Sequence, residues 1–407
     1  MGRTSTTQRH LAPNTSTLTP DETLRWTRVG MLAALAIILG YLETFVPIPI
    51  PGVKLGLANI AVLIALGQHD TRGAFGIAVI KVLASGLLFG SPVMMAYSAT
   101  GTLLAFAVMA PLAQLPTMQL VMVSVAGGLA HELGQLLVAM LLLGTPLVWY
   151  GAPLLEVAGC ATGALCGIVA YRTLALLKSG EELAMATPPT DAQAAPATGP
   201  SPPPQRNPSP QSTGPDARIV LVVFAIFCVL TLRATRLPAL AAASACAFVA
   251  CVAGRVRPRN VMLALRPLVF ILVITFLAQV INTQQGTVVA TIGPAIIARE
   301  ALDATFAMCA RLLALTAASL AVMHLASTED LVKAIDWFMG PLRRLGLRTD
   351  GFVLALRTSL EFVPVLASTL GDHSELLRGK LLSRELWTTA FPQIIARLYL
   401  SVSAPCA

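Results

Sequence analysis

Ten stretches of this chain are apolar over a length close to what a bilayer demands. A hydrocarbon core of ~30 Å takes about 20 helical residues. Such runs recur near 29–46, 54–67, 73–89, 93–111, 118–143 and 152–177, then near 217–232, 237–253, 264–281 and 300–323. Inside lipid every backbone N–H and C=O must be satisfied within the protein, so repeated runs of this kind predict packed helices. The charge content agrees. Of 407 residues 12% are charged, about half the ~25% of an ordinary soluble domain, and the mean hydropathy is +0.75. That balance argues strongly against a cytosolic enzyme and excludes a disordered chain, a collagen-like repeat and a disulfide scaffold. The expected fold class is an all-α polytopic membrane protein.

Two bundles are expected, separated by a linker. Residues 179–216 contain ten of the 28 prolines and no apolar periodicity, so nothing in them can pack. The division is then a polar tail over 1–28, a six-helix membrane domain over 29–178, the linker, and a second membrane domain over 217–407 with at least four spans. From about His324 the pattern becomes amphipathic, which suits helices over about 328–380 lying on a membrane surface. Ser-Thr-Glu-Asp at 327–330 opens the first of these, with Thr328 as the expected N-cap. Leu331, Ile335 and Phe338 share one face, Pro341 stops the run, and a second helix is expected to end before Pro364.

Basic residues set the orientation. Arg3, Arg9, Arg25 and Arg28 precede the first run and Arg172 and Lys178 end the sixth, while the loops 90–92 and 144–151 have none. This places both ends of the first bundle, and the N-terminus, in the cytoplasm of a multi-pass protein of the cell membrane. Arg255, Arg257 and Arg259 fall inside as well, and Arg233 and Arg236 are a mild exception. The net charge of +8 therefore reads as topology signals and not as a nucleic-acid surface. The seven cysteines form no C-x-x-C pair and read as small apolar residues, with no metal site.

A few polar residues lie at membrane depth, where a charge costs roughly 2.5–3.5 kcal/mol on insertion scales. Glu43 and Glu156, near the ends of their runs, are read as snorkelling to the interface. Lys54, Asn59, Lys81, His131, Glu132 and Gln135 are the candidate substrate-binding residues. His131 and Gln135 are one helical turn apart, in a stripe with Gly127, Gly128 and Gly134 that admits a neighbouring backbone. Helix-to-helix hydrogen bonding is the plainer reading of the same stripe. If Lys54 and Lys81 act as a cation pair, the ligand carries a carboxylate or phosphate; alternatively Lys81 neutralises Glu132.

The segments ETFVPIPIPGVKLGLANIAVL (43–63), IKVLASGLLFGSPVMMAYSATGTLLA (80–105) and VAGGLAHELGQLLVA (125–139) resemble the Gx transporter family, also called heptaprenyl diphosphate synthase component I. That family is regarded as one of the substrate-binding S components of energy-coupling factor (ECF) vitamin transporters. Lys81 stands where the family more often has arginine, and Glu132 where asparagine often follows the histidine. The segment 310–370 resembles the CbiQ-like T component, the membrane scaffold of the same transporters. The resemblance implies a micronutrient importer with S and T components fused, partnered by ECF ATP-binding subunits, a small-molecule substrate and the lipid bilayer. It implies that the small-x₃-small pairs Gly30/Ala34 and Ala36/Gly40 contact the scaffold. It also implies that Leu377-Arg378-Gly379 serves as an Ala-Arg-Gly-type dock for an ATPase, with leucine in place of alanine.

No catalytic residues, cofactor or metal are expected on this chain. It carries no Walker sequence, since only Lys380 follows a glycine and Leu381 occupies the Ser/Thr position. An isoprenyl diphosphate synthase, or an accessory subunit of one, is an alternative. It would need paired aspartates for Mg²⁺, and the first half offers only Asp21 and Asp70, unpaired in sequence. A stand-alone secondary transporter is a third reading, weakened by the unlike halves.

Overall fold

In the computed structural model the described residues are 18–43, 55–89, 92–143, 146–186, 215–234, 236–259, 261–262, 287–292, 295–346, 348–372 and 385–403. The first helix, α1, runs Pro20–Glu43. Its start is set by a reciprocal cap: the Glu22 N–H donates to Thr19 Oγ1 (3.3 Å), and the Thr19 N–H donates to Glu22 Oε2 (3.1 Å). Proline at the first helical position suits that start. The helix therefore begins well ahead of the apolar run at 29 and takes in residues that composition alone assigns to a polar tail. Every residue from Val29 to Leu39 is buried, so the middle of α1 is enclosed on all sides.

The rest of the first bundle is α2 (Asn59–Gly67), α3 (Thr71–Phe89), α4 (Pro92–Leu112), α5 (Leu120–Leu143) and α6 (Ala152–Ala186). At 1.5 Å per residue the nine residues of α2 reach only ~13 Å, so the expected span at 54–67 does not cross a bilayer. It is instead a buried plug, with Ile60 to Leu66 all inside. Among the described residues five helices are long and apolar enough to cross a membrane by length and composition: 20–43, 95–112, 120–141, 149–179 and 302–325. The chain is an all-α polytopic membrane protein.

In the second half, α7 (Ala217–Arg233) and α8 (Leu237–Ala253) pack on α9 (Arg299–Leu325). Ile226, Val229 and Phe248 face outward, as apolar side chains against hydrocarbon do. The expected span at 264–281 lies outside the described residues. Val288–Ile292 and Ala295–Ala298 form an antiparallel hairpin, β1 and β2, with Ile292 opposite Ala295. The sequence reading has only a loop there, although β-branched residues on both sides of Gly293-Pro294 carry a hairpin signal.

Three amphipathic helices follow: α10 (Thr328–Phe338), α11 (Gly340–Arg344) and α12 (Asp350–Asp372). Two expectations are corrected here. The N-cap of α10 is Ser327, not Thr328; its hydroxyl accepts from the Asp330 N–H at 3.2 Å. The second helix does not end before Pro364. It runs through that residue to Asp372, because Phe362, Val363 and Leu366 pack on the main core and hold the helix past a proline that favours a stop. Arg343 clamps the turn between these helices: it pairs with Asp336, lies 3.3 Å from Asp350, and donates from Nε to Thr349 Oγ1 at 2.8 Å. A last helix, α13 (Phe391–Ser403), packs on α6.

Candidate functional site

The polar residues of the first bundle meet where α2, α5 and α6 converge. Asn59 opens α2, and its side-chain carbonyl accepts a short hydrogen bond from the Lys81 ammonium of α3. Lys81 is buried, as is Glu132 of α5. Gln135 lies one turn beyond His131, with its Nε2 2.9 Å from the imidazole Nε2. Asn59, His131 and Glu132 line one cavity of ≈ 30 Å³ together with Ser124, Thr162 and Cys166. Five of the six expected residues are thus brought together in one linked cluster. Lys54 lies outside the described residues.

Glycines make that convergence possible. A Cβ on Gly128 would stand 2.3 Å from the Gly159 carbonyl oxygen, and one on Gly163 would stand 2.8 Å from the Ser124 carbonyl. Backbones of α5 and α6 therefore touch, and the Ser124 hydroxyl donates to the Gly163 carbonyl at 2.6 Å. The run Gly159-x₃-Gly163-x₃-Gly167 is the small-residue stripe behind this contact, legible in the sequence though not singled out there. Glu43 is also corrected. It does not snorkel: its Oε1 accepts from the Gly56 N–H at 2.6 Å, tying the end of α1 to the turn before α2. Gly56 has φ +71°, a backbone state that a side chain would strain.

A second relationship joins the two halves. Along α1 and α12 the contacts advance in the same direction: Glu22 pairs with Arg348 (3.0 Å), Trp26 meets Gly351, and Gly30 meets Ala355 and Thr358. The helices are therefore parallel and in register. A Cβ on Gly30 would lie 2.8 Å from the Ala355 carbonyl. Gly351, Ala355 and Ser359 recur every four residues, which lets α1 lie against the α12 backbone. Of the other small residues expected to make this contact, Ala34 and Ala36 are fully buried. A Cβ on Gly40 would instead meet Ala58, ahead of α2, at 3.6 Å. Trp26, Arg348 and Gly351 were not foreseen. Leu377, Arg378 and Gly379 lie outside the described residues.

Residues 32–173 match the family described as heptaprenyl diphosphate synthase component I. Over 120 residues the chain is 29% identical to the energy-coupling factor transporter transmembrane protein EcfT of Exiguobacterium sibiricum, covering 30% of this chain and 46% of that relative. The chain thus resembles an energy-coupling factor membrane component. It spans about half the length of the curated relative it matches.

The chemistry available at the polar cluster is binding chemistry. A buried ammonium, a carboxylate, an imidazole and two amides offer donors and acceptors in a setting where each is strengthened by the low dielectric. Among the described residues no group of three or more His, Cys, Asp or Glu is arranged to hold a metal ion.

Proposed function

We propose that this chain is the membrane part of an ATP-dependent importer of the energy-coupling factor type, with substrate capture and energy coupling on one polypeptide. Residues 29–178 take a small micronutrient at Asn59, Lys81, His131, Glu132 and Gln135, with Lys54 as a sixth ligand. Residues 217–407 form the scaffold, and ATP-binding subunits dock at Leu377-Arg378-Gly379. The observation that carries this reading is the parallel register of α1 on α12, from Glu22–Arg348 to Gly30–Ala355. A substrate-binding bundle has to rest on its scaffold, and a seam of small residues lets the two helices approach closely. The likeness to EcfT and the family match at 32–173 support the same assignment.

The cavity has room for about one water molecule, so loading must widen it. The test is ATP-dependent accumulation in proteoliposomes containing this chain and ECF ATP-binding subunits, using whichever small molecule co-purifies with the chain. Uptake that proceeds equally without those subunits would overturn the reading. The family description at 32–173 favours a second reading, an accessory role in isoprenyl diphosphate synthesis. Stimulation of heptaprenyl diphosphate formation by the purified chain would establish it.

A further inference from the structure

At the opposite end of α2 from the polar cluster a second, larger cavity opens, of ≈ 1030 Å³. The length of α2 puts the two sites roughly 12 Å apart along its axis. The larger cavity lies between the first turns of α1, the α2–α3 turn, the end of α6 and Tyr399 of α13. Arg25, Arg28, Arg72 and Lys178 line it, with only Asp21 and Asp70 in opposition. Asp70 is already committed: it takes Arg25 Nε at 3.0 Å and accepts from the Gly73 N–H at 2.8 Å as the cap of α3. Among the described residues Arg28, Arg72 and Lys178 form no salt bridge, although the Arg72 charge also acts on Asp70.

Part of the lining is different in kind. Leu32, Ala65 and Leu174, buried apolar residues of three helices, also border the cavity. The turn carrying the basic rim is stiff, because the His69 N–H donates to Leu66 (2.9 Å) and the Asp70 N–H donates to Ala65 (3.0 Å). Three cations from α1, α3 and α6 beside apolar lining residues match one class of ligand: a phosphate joined to a hydrocarbon body. A soluble phosphate would use the cations and leave the apolar lining unused.

We infer that this cavity binds an anionic phospholipid, with Arg28, Arg72 and Lys178 around the phosphate and the start of an acyl chain against the apolar lining of Leu32, Ala65 and Leu174. The inference is independent of the transport reading and needs no ATPase subunit to test. The full chain is released from mixed micelles of phosphatidylglycerol and phosphatidylcholine in equal amounts and weighed by native mass spectrometry. Phosphatidylglycerol should be retained preferentially. The preference should fall on the order of a hundredfold in an Arg28→Gln/Arg72→Gln/Lys178→Gln variant, at roughly fivefold per cation. It should persist in Arg28→Lys, which keeps the charge. Equal retention of the two lipids by the unaltered chain overturns the inference whether or not the triple variant folds. Displacement of the lipid by inorganic phosphate or glycerol phosphate at the same concentration would make the occupant a soluble anion and overturn it equally.

Discussion

Trp26 occupies the place into which any side chain on Gly351 would project: a Cβ there would lie 2.0 Å from the indole Nε1. The same indole reaches 3.2 Å from where a Cβ on Gly76 of α3 would stand. One aromatic ring is thus wedged between the first bundle and α12. Gly351→Val should cost about 1–3 kcal/mol by overpacking, read as a lower melting temperature in detergent. Trp26→Ala in the same chain should relieve part of that loss. Strict additivity of the two changes would show that the residues do not meet.

The contact of α5 with α6 makes a sharper contrast. Gly128→Ala puts a methyl group against the Gly159 carbonyl and should destabilise by about 1–3 kcal/mol. Gly151→Ala, where nothing lies within 4 Å, should be neutral or slightly stabilising. Equal melting temperatures for the two variants would contradict the close approach.

Asp70 gives the pH dependence. Burial pushes its carboxyl up, but hydrogen bonds from Arg25 and the Gly73 N–H, with the charges of Arg25 and Arg72, outweigh burial and hold it below the ordinary 3.8. A depressed folded-state value means that its contribution is complete above the ordinary carboxylate range and is lost as pH falls through the lowered value. Capping and a partly exposed ion pair together are worth about 1–2 kcal/mol. Asp70→Asn should therefore melt earlier than the parent at neutral pH, with the gap closing on acidification below about pH 4. A gap that widens with acid would refute the sign.

At the polar cluster, Lys81→Met and His131→Ala should each weaken binding of the co-purifying small molecule by about tenfold or more, the loss typical of a hydrogen bond to a charged group. Isothermal titration on the folded variants decides it, since unchanged affinity in both would place the substrate elsewhere.

The proposed ATPase dock at Leu377-Arg378-Gly379 is tested by charge reversal. Arg378→Glu should abolish ATP-driven uptake while leaving ligand affinity intact. Pull-down of the ATP-binding subunits at parent strength would remove Arg378 from that role.

Much of the architecture was legible because bilayer length and backbone satisfaction leave apolar runs few options. The bounds of α3, α5, α7 and α8 follow their apolar runs within two residues or so. The polar cluster was legible for the same reason: Lys81 and Glu132 stand out where a charge is expensive, and each needs company. The cap at Thr19–Glu22 and the glycine repeat 159-163-167 were also written in the sequence, as local signals.

What the sequence determined was local in cause: which segments are apolar enough to form buried helices, and which polar groups lie at membrane depth. The tertiary structure decided what those segments meet. No periodicity in α1 announces that its middle is enclosed on every side, that Gly30 faces α12 while Gly40 faces Ala58, or that Arg348 reaches Glu22 across more than three hundred residues. Helix α12 continues past Pro364 because its packing partners reward it. In the same way α2 stays short and buried because α3 and α6 enclose it. Contacts between distant segments depend on the shape that each presents to the other, and that shape exists only once both are folded.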